Sequence, residues 1–76
     1  MANTDGEAVR LALIAYLDVE KISQRELARR LGWTQPRVQR RIVGDARISV
    51  QDLHDIAAAL DVPVTRFLSE QPAVQS

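Results

Sequence analysis

The ionisable side chains of this 76-residue chain, one tyrosine aside, are nine arginines, one lysine and one histidine against ten carboxylates. Cysteine is absent, which removes thiolate metal sites, disulfide scaffolds and cysteine nucleophiles together. Ser49, His54 and Asp55 are residue types used in hydrolytic triads, but no nucleophile elbow or oxyanion loop accompanies them, so no catalytic residue is expected. His54 is the single histidine and lacks the partners that a metal needs; its expected place is an exposed helix position, and neither metal nor cofactor is expected. What remains is charge. From Lys21 to Arg47 there are eight bases and two acids, whereas the other residues hold two bases and eight acids, so the formal net charge of zero conceals a dipolar chain. Such a local basic field attracts polyanions, and a solvated arginine face on a helical protein is the plainer alternative.

Those arginines need helices to present them. No Asn-Gly turn and no sustained period-two alternation suggests a strand, while helix punctuation is abundant. The spacing predicts a first helix from about Asp5 to Val19, with Val9, Leu13, Tyr16 and Leu17 on one face and Leu11, Ile14 and Ala15 beside it. Ser23 caps a second helix, with Glu26 completing a capping box, Leu27, Ala28 and Leu31 as its apolar stripe, and Gly32 as its stop. Thr34 caps a third helix that tolerates Pro36 in its first turn and ends at Gly44. Ser49 with Asp52 repeats the capping box and opens a fourth helix to about Leu60, turning Leu53, Ile56, Ala57 and Leu60 inward. Pro63 starts a short fifth helix carrying Val64, Phe67 and Leu68.

The expectation is an all-α, compact five-helix domain over residues 1–69, with residues 70–76 as a frayed polar tail. A domain this small buries only about 60% of its unfolded surface, which leaves no room for a deep pocket. Nothing in Met1 to Glu7 reads as a signal peptide, and the most apolar stretch, Val9 to Val19, is interrupted by Arg10 and Asp18 and too short to span a bilayer. A soluble intracellular, cytoplasmic protein is therefore expected.

Only Gly32-Trp33 joins the second and third helices, the spacing that sets two helices at a steep angle. A side chain larger than Ala28 would push the pair apart, Gly32 reaches the conformation that ends a helix abruptly, and Leu27, Leu31 and Val38 fill the space between. Trp33 is expected to fill the core or cap the helix. With these residues the chain resembles the lambda-repressor-like (Cro/repressor, XRE) family of helix-turn-helix DNA-binding domains over roughly Ala8 to Leu68, with the helix-turn-helix at residues 24–43. The chain departs from the family at Arg41, where an apolar residue is usual, and at Ile42, where an acid is frequent. Either Ile42 takes over the packing, or Arg41 covers the core with its stem.

The resemblance implies roles by position. The third helix would enter the major groove, with Gln35 the leading base reader through adenine N6 and N7, and Pro36, Gln39 and Arg40 beside it. Gln24, Thr34, Arg37, Arg41 and Arg47 would contact phosphates. The second and fourth helices place an acid at their third position, Glu26 and Asp52, whereas the third places Arg37 there, an arrangement a nearby phosphate or guanine edge would reward. Arg29 and Arg30 read as solvated, paired with Glu26. A transcription regulator of the phage-repressor or Cro-like kind follows, a homodimer on a palindromic double-stranded operator, nucleoid-associated, with Val64, Phe67 and Leu68 as the dimer candidates. The alternatives are an antitoxin-like protein-interaction module and a DNA-binding fragment of a longer regulator.

Overall fold

Helix ends decide this fold, because the helices are short and each must be closed by local chemistry. In the computed structural model, which describes residues 3–68, the order is α1 (Asn3–Glu20), α2 (Gln24–Leu31), α3 (Gln35–Val43), α4 (Val50–Leu60) and a 3-10 turn, Val64–Phe67. The Ser23 hydroxyl accepts the Glu26 N–H at 3.0 Å and the Thr34 hydroxyl accepts the Arg37 N–H at 3.3 Å. Ser49 and Asp52 form a full capping box, each side chain accepting the other's backbone N–H at 3.0 Å. α2 and α3 end on Gly32 and Gly44, whose φ values of 76° and 94° are left-handed and free of Cβ strain. Asp61 closes α4 in the same conformation, at φ 61°.

Four expectations need correction. The fifth element is a 3-10 turn, so the described residues hold four α-helices: Arg66 N–H bonds the Pro63 carbonyl and Leu68 N–H that of Thr65, a three-residue spacing. The capping box at Ser23 is only half formed, because the Glu26 carboxylate accepts instead from Arg29 and Arg30, at 3.1 and 2.9 Å to their Nε atoms. Charged donors outbid a neutral N–H for that carboxylate. Leu11 and Ala15 lie outward, Leu11 at 52% exposure, since each falls two residues from a buried position and so on the far side of α1. The first helix also extends beyond its expected ends, at Asn3 and Glu20.

The core is a single cluster. Val9, Leu13 and Leu17 of α1 meet Leu27 and Ala28 of α2, Val38 of α3, and Leu53, Ile56, Ala57 and Leu60 of α4. Phe67 closes it from the 3-10 turn, 1% exposed, with its ring edge-on to Tyr16 at 5.9 Å between centroids. The expected tail, residues 70–76, lies outside the described residues. No helix among those described is long and apolar enough to cross a membrane.

Candidate nucleic-acid interface

The third helix has two unlike sides. Val38 is buried at 2% exposure and Ile42 packs half-buried against the core. Gln35, Pro36, Gln39, Arg40 and Val43 are all exposed, and their spacing puts them on one outward stripe. All four base-reading candidates thus share a face. α3 is held against α2 across the turn at Gly32-Trp33, where the Trp33 N–H bonds the Ala28 carbonyl at 3.0 Å.

The phosphate candidates do not share one situation. Gln24 opens α2 half-buried, Thr34 caps α3 in the open, and Arg47 is exposed in the loop before α4. The Arg37 guanidinium stacks on the Trp33 ring, 3.9 Å from its centroid, and lies 3.9 Å from Asp52 Oδ1 with its side chain still 46% exposed. Arg41 turns toward α4: its Nε donates to Asp52 Oδ2 at 3.0 Å, its NH1 donates to the Arg37 carbonyl at 3.0 Å, and its side chain is 18% exposed. At positions 41 and 42, then, Ile42 takes up packing while Arg41 forms an ion pair. Arg10 of α1 fastens the far end of the same helix, donating from NH1 to the Ile42 carbonyl at 2.8 Å and pairing with Glu7.

Two residues of this site escaped the sequence reading. Trp33, expected only to fill or cap, is half-buried and supplies the plate on which Arg37 rests, with Arg41 at 5.1 Å. Asp52, expected only as a cap, is the acid that joins α4 to α3. The available signal was an arginine where an apolar residue is usual, since a cation on an inward face calls for an acid. Of the self-association candidates, Phe67 is enclosed in the core, whereas Val64 and Leu68 are half-buried and line a groove with Val9 and Leu53. His54 is exposed, and the described residues contain no group of three metal-ligating side chains.

The charges of the site are fixed by local partners. Burial opposes ionisation of Asp52, but the Ser49 N–H and the Arg41 guanidinium outweigh it and hold the carboxyl below its usual value. Hydrogen bonds from Arg29 and then Arg30 bring Glu26 down to about 2. A carboxyl depressed in the folded state stays ionised while its unfolded counterpart takes up a proton, so its stabilisation is complete above about pH 4.5 and is lost as pH falls through the folded value. The denaturant midpoint is therefore expected to fall between about pH 4.5 and 2, less so at high salt because Glu26 is solvent-accessible, and Asp52→Asn should flatten the profile. A midpoint independent of pH across that window would show that these pairs are not linked to folding.

α2 and α4 carry acids in their first turns, whereas α3 carries none and presents Thr34, Gln35 and Arg37 at its positive end. A helix start of this composition, beside an exposed polar stripe, suits hydrogen bonding to base edges and backbone phosphates. Neither a curated protein nor a solved structure matches the chain. A family model described as helix-turn-helix matches residues 13–67, a span that takes in both helices of the motif, the fourth helix and Phe67. With that match added to four α-helices packed around a glycine-ended turn, the chain belongs to the lambda-repressor-like (XRE) helix-turn-helix family of DNA-binding regulators.

Proposed function

We propose that the protein is a sequence-specific repressor of the phage or Cro-like kind, acting by occupying an operator and excluding polymerase or a rival regulator. The observation that carries this reading is the outward stripe of α3: Gln35, Pro36, Gln39 and Arg40 are exposed together on a helix that Val38 and Ile42 fix against the core. Gln35 stands first on that stripe, where its amide can pair with adenine N6 and N7. Arg40 reads guanine or holds a phosphate, and Pro36 offers an apolar contact to a thymine methyl. Gln24, Thr34, Arg37 and Arg47 serve the phosphates; Arg41 is left out of this set because its guanidinium faces Asp52. The functional unit is the domain of residues 1–69 with the helix-turn-helix at 24–43.

A single recognition helix covers roughly half an operator, and two-fold pairing would set two of them about 34 Å apart on successive major grooves. Val64 and Leu68 supply the self-association surface in this reading, with Phe67 reserved for the core. Selection of bound duplexes from a random pool tests the whole proposal, and palindromic winners with half-sites about 10 base pairs apart are expected. Against those winners, Gln35→Ala should lose about 1–3 kcal/mol of discrimination at one base position while keeping its affinity for random sequence. Equal losses on winning and random duplexes would remove Gln35 as a reader, and a pool that yields no winners would overturn sequence-specific binding.

A further inference from the structure

The ion pair between α3 and α4 is placed oddly for a protein that binds a polyanion. Asp52 is 7% exposed and is the buried acid of the described core, yet its carboxylate points at the basic helix. One oxygen, Oδ2, accepts both the Ser49 N–H and Arg41 Nε at 3.0 Å, while Oδ1 lies 3.9 Å from Arg37 NH2. Arg41 is occupied further by its bond to the Arg37 carbonyl and by the Trp33 face. Two of the three arginines on α3 are thereby turned toward a carboxylate, and Arg40 is the one exposed without it.

We propose that Asp52 is a specificity-determining positioning residue, which withholds Arg41 from the DNA backbone and locks the reading stripe of α3 in register against α4. The inference rests on the DNA-binding reading above. Phosphate contacts tighten binding to every sequence alike, so a cation withdrawn from them lowers non-specific affinity without touching base readout. The same carboxylate fixes the helix laterally. Its bond to Arg41, in the last turn of α3, reaches the N-terminus of α4 on the side away from Gln35 and Gln39. Base readout depends on that registration, because a bidentate contact fails when its helix shifts. Asp52 thus acts twice on the ratio of specific to non-specific binding, and both actions raise it.

The test is Asp52→Asn in the full chain, titrated against a mixed-sequence duplex and against a duplex winning the selection described above. Asparagine still offers an oxygen to the Ser49 N–H, so the cap survives. Affinity for the mixed-sequence duplex should rise about three- to tenfold at low salt, with the log–log salt slope steeper by about 0.9 per protomer for one added phosphate contact. That added contact makes the gain shrink about 3.5-fold between 50 and 200 mM salt. The winning duplex should gain less, so the ratio of the two affinities falls. Asp45→Asn, which removes an equal charge from an exposed acid just past α3, should leave the ratio unchanged.

Several outcomes would overturn the inference. A ratio unchanged in Asp52→Asn is one, and an equal change in Asp45→Asn, which would mark a bulk charge effect, is another. If Asp52→Asn loses its helical circular dichroism, the double variant Arg41→Gln, Asp52→Asn carries the test. Its salt slope should match that of the unaltered protein, and a slope shallower by a whole contact would mean that Arg41 already touches phosphate. An unaltered protein that binds neither duplex removes the DNA-binding reading itself, a failure distinct from these because it precedes any substitution.

Discussion

Phe67→Ala is expected to lower the free energy of unfolding by about 3–5 kcal/mol, the usual cost of removing a fully buried aromatic side chain. The ring is 1% exposed, meets Tyr16 edge-on, and is the only large side chain that the 3-10 turn sends into the core. A small domain has about 5–15 kcal/mol in total, so much of the population would unfold near physiological temperature. Denaturant titration at constant slope is the measurement. A loss under about 1 kcal/mol would mean that the last turn covers the core without completing it.

The second large effect concerns salt. The formal net charge of zero suggests indifference to ionic strength, yet the segment from Lys21 to Arg47 is strongly basic. If about four phosphates are neutralised per protomer, the log–log slope is roughly −3.5, and affinity falls about 100-fold per protomer between 50 and 200 mM salt. Mobility shifts at graded salt on one duplex would measure it. A flat response would mean that the basic face is not laid against a phosphate backbone, and would favour a protein partner of the antitoxin kind.

Most of the architecture was readable in the chain because helix ends are local. Ser23, Thr34 and Ser49 announce three starts through their own hydroxyls, and Gly32 and Gly44 two stops through the φ they permit. The exposed stripe of α3 is equally legible, since residues on one helix share a face by periodicity alone. The misses share a different cause. Leu11 is apolar and lies within an apolar run, but which of several apolar residues faces inward depends on what packs there. Arg41 and Asp52 lie eleven positions apart on different helices, so their pairing exists only once α3 and α4 have docked. The pairing of Glu26 with Arg29 and Arg30 is legible from helix spacing, and what is not legible is that it leaves the capping box at Ser23 half formed. The winding of the short fifth element is not legible, because its apolar spacing, Val64, Phe67 and Leu68, satisfies an α-helix and a 3-10 turn alike.

Trp33 is the single tryptophan of the chain, and it sits in the turn of the motif with the Arg37 guanidinium 3.9 Å from its ring centroid. Selective excitation of indole therefore reports on one place only, the joint between the two helices of the helix-turn-helix. A cation stacked on the ring perturbs its emission, and a phosphate that drew Arg37 away would change that emission in the same step. The protein thus carries an intrinsic optical probe in the turn of its motif, and DNA titrations can be followed by fluorescence without a dye on either partner.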